Sequence, residues 1–267
     1  MARMILGGNI AKLPYEAEEL DLRLYTSEEL CYYFFHFLPL LGDDFIDDRL
    51  MGFIESGLGL KETAEKIRRF YHSPSDQDAT LQMILSDLGY YQDKELTEFQ
   101  NRLVKRRRKN GPERKLEKAD TLFALRRYSK AARIYRTLAN DPDGRITREL
   151  RTRSMEGCAN SYGRLSCYQD ALRWLRRAYK ETGDLKILKK MYGLSVLSGM
   201  ELPDFDQVPE KEFQKWQQEY SAMENAARAR VQEDELMQSF FKDKTERDKL
   251  LRQYAAREKE IYRVMYE

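Results

Sequence analysis

Cysteine and histidine are scarce in this sequence: 267 residues include three cysteines (Cys31, Cys158, Cys167) and two histidines (His36, His72). Three thiols within helical apolar patterns do not make a disulfide framework, so a reducing, cytoplasmic setting is expected. Long apolar runs are also missing. The most apolar stretch, Cys31 to Leu41, includes His36 and Pro39 and falls well short of the roughly 20 residues that cross a bilayer. The amino-terminal residues reach Gly7, Gly8 and Asn9 after only two or three apolar positions, too few for a secretory core. With 42% hydrophobic residues, the chain can still bury a core, which excludes a disordered polymer.

Candidates for chemistry are correspondingly few. His36 lies within an aromatic run and His72 at a helix end, and both read as structural. Asp43, Asp44, Asp47 and Asp48 cluster where carboxylates favour a helix amino terminus. Gly57-x-Gly59-x-Lys61-Glu62-Thr63 lacks the frame and the preceding strand of a phosphate loop. Cys158 and Cys167 read as small packing residues. A non-catalytic protein without cofactor or metal ion is expected.

What is present is helical periodicity almost throughout, with no convincing strand, and the expected class is all-α. Thr26-Ser27-Glu28-Glu29 is a helix-start signal for a helix reaching about Leu41. Gly42-Asp43-Asp44 opens a second, with Phe45, Ile46, Leu50, Phe53 and Ile54 on one face. A third carries Leu60, Ala64, Ile67, Phe70 and Tyr71, and a fourth Leu81, Ile84, Leu85 and Leu88. Residues 1–101 are expected to form an acidic helical domain.

The net charge of +2 hides an asymmetry. Residues 1–101 carry 9 basic and 19 acidic side chains, residues 102–180 carry 23 and 8, and residues 181–267 carry 15 and 18. Such a split serves either internal complementarity or attraction of an acidic partner or polyanion. The run Lys105-Arg106-Arg107-Arg108-Lys109 ends at the break Asn110-Gly111-Pro112. With Arg173, Arg176 and Arg177 it forms the basic face of the alternative reading, a nucleic-acid-associated protein.

Within that basic stretch the sequence repeats. Tyr128-x-x-Ala131-x-x-x-Tyr135-x-x-Leu138 returns as Tyr168-x-x-Ala171-x-x-x-Leu175-x-x-Ala178, each after a helix with Ala119 and Leu122 or Ala159 and Tyr162 at matched offsets. This pattern, over about residues 112–198, resembles the tetratricopeptide repeat. The resemblance implies antiparallel helix pairs stacked into a short α-solenoid over 112–203 that binds a peptide or partner helix along its first-helix face. Carried over position by position, that face presents Leu116, Asp120 and Phe123, then Arg153, Glu156, Asn160 and Arg164, then Ile187, Lys190 and Leu194. Members that capture a terminal carboxylate use lysines where Leu116 and Glu156 stand, so carboxylate capture is not expected. A third first-helix, with Gly193 and Val196 in register, stops at Leu202-Pro203-Asp204 and reads as the cap.

Residues 209–267 contain no glycine and no proline after Pro209. Phe213, Trp216, Tyr220, Met223 and Ala227 follow in steps of three and four, the spacing of one long helix or two in line. Such a helix either packs on its own chain or self-associates as a homodimer seam. Its polar face is not dominated by lysine and arginine, and no membrane partner is expected.

Overall fold

The structure, a computed structural model, describes residues 10–42, 45–72, 76–142, 146–200, 205, 207–242 and 246–266. It is an all-α protein: 13 helices and one two-stranded hairpin are formed by the described residues. They fall into two compact units, Met1–Gly183 and Asp184–Glu267.

The first unit begins with the hairpin β1 (Tyr15–Ala17) and β2 (Leu22–Leu24), three residues each and too short for an alternating pattern to register in sequence. α1 (Ser27–His36) starts where expected: Thr26 Oγ1 accepts from the Glu29 amide at 3.2 Å, and Glu29 accepts from the Thr26 amide in return. It ends five residues before Leu41, because Pro39 cannot continue an α-helix and Leu38–Leu40 tighten into a 3₁₀ turn. The second helix also starts later than expected. Phe45 and Ile46 are buried ahead of it, α2 (Asp48–Gly52) is capped by Asp47, and Phe53–Gly57 widen into a π turn. The expected helix opening at Asp43 and Asp44 lies outside the described residues.

Four helices follow: α3 (Lys61–Phe70), α4 (Gln77–Asp87), α5 (Asp93–Arg107) and α6 (Gly111–Ala124). Asn110 caps α6 through the Glu113 amide at 2.9 Å, so the break read at Asn110-Gly111-Pro112 is a real helix boundary. It is not a core boundary. Phe34, Leu85, Phe99 and Leu103 belong to one continuous buried cluster with Leu116, Ala119, Leu122, Ala131 and Cys158. Residues 1–101 therefore share a core with the repeat region.

α7 (Tyr128–Asn140), α8 (Arg148–Arg164) and α9 (Tyr168–Thr182) complete the unit. The α6–α7 and α8–α9 turns are the same turn, used twice. Arg126 and Ser166 adopt left-handed backbone (φ 59° and 60°), and the next amides reach back to Leu122 O at 2.8 Å and Tyr162 O at 2.9 Å. Ala131 and Ala171, the small residues of the motif, are fully buried. Gly157 lets α7 and α8 approach closely: a Cβ there would meet the Tyr135 ring at 2.6 Å.

The acidic and basic stretches meet inside this unit. Lys118 pairs with Glu19, and Lys130 donates to Asp21 Oδ1 at 2.9 Å and to the Glu18 carbonyl at 2.5 Å. The Lys130 hydrogen bond holds the exposed Asp21 carboxyl below the usual carboxylate range. Arg107 pairs with Asp78 at 2.7 Å, while Arg106 donates to the Leu41 carbonyl at 2.8 Å. Much of the charge asymmetry is thus internal complementarity. Solvent screens the exposed pairs, so each adds little to stability by itself.

In the second unit α10 (Leu185–Ser198) is followed by α11 (Glu210–Glu233). Leu202, Pro203 and Asp204, where the repeat pattern is expected to stop, lie outside the described residues, and α11 packs on α10. Lys189 pairs with Glu219 at 2.5 Å, and Tyr220 lies against Gly193. Ring centroids run from 5.3 Å apart for Tyr192–Phe213 to 6.5 Å for Tyr192–Trp216. Phe213, Trp216 and Tyr220 are thus used as read, whereas Met223 is 62% exposed and Ala227 is exposed. Nor is the carboxy-terminal helix continuous. Asp234 leaves helical geometry between α11 and α12 (Glu235–Lys242), accepts from the Met237 amide, and pairs at 2.7 Å with Arg257 of α13 (Arg247–Tyr266). A side-chain cap does here what no glycine or proline was present to do.

Burial also fixes the thiols. It pushes Cys31 and Cys158 up to about 12, whereas Cys167 is exposed at the start of α9. Native protein at pH 8 is expected to take up one equivalent of a thiol reagent, at Cys167, and three in denaturant. Peptide mass spectrometry checks this, and native labelling of Cys158 would contradict the packing of α8.

Candidate partner-binding groove

α6 and α8 are the first helices of the two hairpins, and their shared face carries an open groove of about 740 Å³. Its apolar floor is Leu116 and Leu150, both buried. Two helix starts place them there: Asn110 caps α6, and Thr147 caps α8 by accepting from the Leu150 amide at 3.2 Å.

Across the floor runs one polar bridge. Asp120 Oδ1 accepts from Tyr135 Oη at 2.6 Å, and Oδ2 accepts from Arg153 Nη2 at 3.3 Å, so a single carboxylate ties α6 to α7 and α8. Burial, reinforced by the Asp120 hydrogen bond, raises the Tyr135 phenol above its ordinary value and keeps it a donor. The walls are charged. The end of α5 and the turn that follows it contribute Lys105, Arg108 and Lys109, and the facing helices contribute Glu113, Glu117 and Glu149; Lys109 pairs with Glu117 at 2.6 Å. The result is an apolar strip between cationic and anionic rims, able to seat a short amphipathic segment.

The structure brings together Leu116, Asp120 and Arg153 of the residues read as groove-lining. Phe123 is half-buried edge-on against Tyr128, with ring centroids 5.2 Å apart, and works within its own hairpin. Asn160 and Arg164 are exposed further along α8, and Glu156 is half-buried; none of the three lines the groove. Ile187, Lys190 and Leu194 belong to α10 in the second unit, where Ile187 is buried and Lys190 exposed. Sequence reading missed the contribution of α5. The signal was the short interval between Arg107 and the Asn110 cap, which obliges the end of α5 to stay beside the start of α6.

The basic face divides in the same way. Arg106 is structural, with a side chain 11% exposed, and Arg107 is committed to Asp78. Arg108 stands on the groove rim. Arg173 pairs with Asp170 at 2.9 Å, Arg177 donates to Asn140 Oδ1 at 2.6 Å, and Arg176 is exposed. Among the described residues no helix is long and apolar enough to cross a membrane. The chain matches no family model, no curated protein and no solved structure.

Proposed function

We propose that this protein is a non-catalytic cytoplasmic adaptor whose helices α6 to α9 serve as a short tetratricopeptide-like scaffold. The groove between α6 and α8 holds a peptide or helix of another protein. The observation that carries this reading is the groove itself: a buried Leu116–Leu150 floor, braced by the Tyr135–Asp120–Arg153 bridge and left open between two charged rims. An amphipathic segment fits such a surface by burying its apolar side on the floor and matching its charges to the rims.

The test is affinity capture from host lysate with full-length protein, comparing wild type with Arg108→Glu/Glu149→Lys, two changes on the groove rim. Both substituted side chains are exposed, so the thermal melt is expected to stay within about 1 kcal/mol of wild type. Recovery of a stoichiometric protein partner is expected to fall at least tenfold in the variant. Undiminished recovery would place the interaction elsewhere on the molecule.

A further inference from the structure

The outward faces of α7 and α9 carry cations in a repeating pattern that the groove does not use. On α7, burial of Ala131, Ala132, Tyr135, Leu138 and Ala139 turns Arg133 and Arg136 to solvent. On α9, burial of Ala171, Leu172, Leu175 and Ala178 does the same for Arg173, Arg176 and Lys180. Arg133 and Arg173, and likewise Arg136 and Arg176, stand forty positions apart. That is the interval between the buried alanines Ala131 and Ala171 and between the two left-handed turn residues, so each pair occupies equivalent sites on two copies of one structural unit.

Arg177 sets the two helices side by side. Its guanidinium donates to Asn140 Oδ1 at 2.6 Å and to the Ala139 carbonyl at 3.4 Å, and lies 5.1 Å from the Trp174 ring centroid. Compensation on this face is sparse. α7 has no acidic residue; on α9, Asp170 is taken by Arg173 and Glu181 stands in the last turn. Among the described residues Arg133, Arg136, Arg176 and Lys180 have no carboxylate partner, although Lys118, Lys130, Arg106 and Arg107 of the same unit all do.

Regularly spaced cations on a rigid repeat are suited to a regularly spaced anion. Guanidinium forks match phosphate oxygens in pairs, which favours phosphate over an isolated carboxylate. Trp174 is half-buried beneath Arg177 and offers no platform for stacking a base, so contact is with the backbone. We propose that the α7/α9 face binds the phosphate backbone of a nucleic acid, independently of base sequence. This surface is separate from the groove, and the inference stands without the adaptor reading.

The experiment is fluorescence anisotropy of full-length protein with a labelled DNA duplex and a labelled single-stranded RNA, titrated at several salt concentrations. Four phosphate contacts give a log–log salt slope of about −3.6 on duplex DNA, a loss of about 150-fold in affinity from 50 to 200 mM salt. The variant Arg133→Gln/Arg136→Gln/Arg176→Gln/Lys180→Gln, with every change at an exposed position, is expected to melt like wild type and to bind at least tenfold more weakly at 50 mM salt. Lys61→Gln/Lys94→Gln, which removes exposed cations elsewhere in the unit, is expected to keep wild-type affinity. The assignment is overturned by absence of binding at 50 mM salt, by full binding in the four-site variant, by equal loss in the Lys61/Lys94 control, or by equally tight binding of polyglutamate.

Discussion

Replacing Ala171 by arginine is expected to abolish the cooperative melt of the first unit while leaving the second folded. Ala171 has no exposed surface and belongs to the buried face of α9, the helix that packs on α8. A guanidinium forced into that space must either be buried without a partner or push the helices apart. An uncompensated buried charge costs about 3–5 kcal/mol. Domains of this size are stable by about 5–15 kcal/mol, so one such substitution takes most of the margin. Circular dichroism melts of full-length protein, with hydrogen exchange resolved by peptide, separate the outcomes. Protection is expected to vanish over α6 to α9 and to persist over α10 and α11. Ala171→Ser, which adds one hydroxyl, is expected to cost less than half as much. A wild-type melt for Ala171→Arg would mean that this side chain faces outward and that the register of the second hairpin is wrong.

The second large effect is expected from Trp216→Ala, and it tests the second unit alone. Trp216 is 1% exposed, its indole N–H donates to Glu212 Oε1 at 2.9 Å, and Tyr192, Phe205 and Phe213 surround it. Truncating a buried tryptophan to alanine costs about 3–5 kcal/mol through lost burial and the cavity left behind. Among the described residues the buried apolar set here is short: Ile187, Leu188, Met191, Tyr192, Val208 and Trp216. Loss of its largest member is therefore expected to release α11 from α10, read as hydrogen exchange rising over residues 185–220 and unchanged over 111–182. Gly193→Val reaches the same contact from the other side, since a Cβ at Gly193 would enter the Tyr220 ring. Tyr220→Ala in that background is expected to recover part of the loss, the signature of two residues sharing one space. If Gly193→Val melts like wild type, α11 does not lie on α10.

Particular elements show how legible this was from sequence. The Thr26–Glu29 capping box was readable because it is local: a hydroxyl and a carboxylate three positions apart satisfy amides that any helix start leaves free. The forty-residue interval was readable for the same reason, as identical turns and small residues recur at fixed spacing. The end of α1 is not legible in the apolar run itself, which continues to Leu41; the single Pro39 within it stops the α-helix. The break at Asp234 carried no glycine or proline signal, and its stabilising partner, Arg257, lies beyond any local window. For the candidate groove, Leu116, Asp120 and Arg153 followed from repeat position, whereas the rim supplied by α5 did not. Composition alone groups Lys105 and Arg108 with Arg106 and Arg107, whose side chains are committed to Leu41 and Asp78.

By itself the sequence determined the helical class, the duplicated hairpin and the separation of acidic from basic stretches, because each is fixed by spacing or composition along the chain. Only the tertiary structure decided where charge is neutralised. It placed Asp78 against Arg106 and Arg107 and the Glu18–Asp21 segment against Lys118 and Lys130, and among the described residues it left Arg133, Arg136, Arg176 and Lys180 of the α7/α9 face without a carboxylate partner. Pairing depends on distances of a few ångströms between residues up to about a hundred positions apart, and such distances exist only once the core has closed.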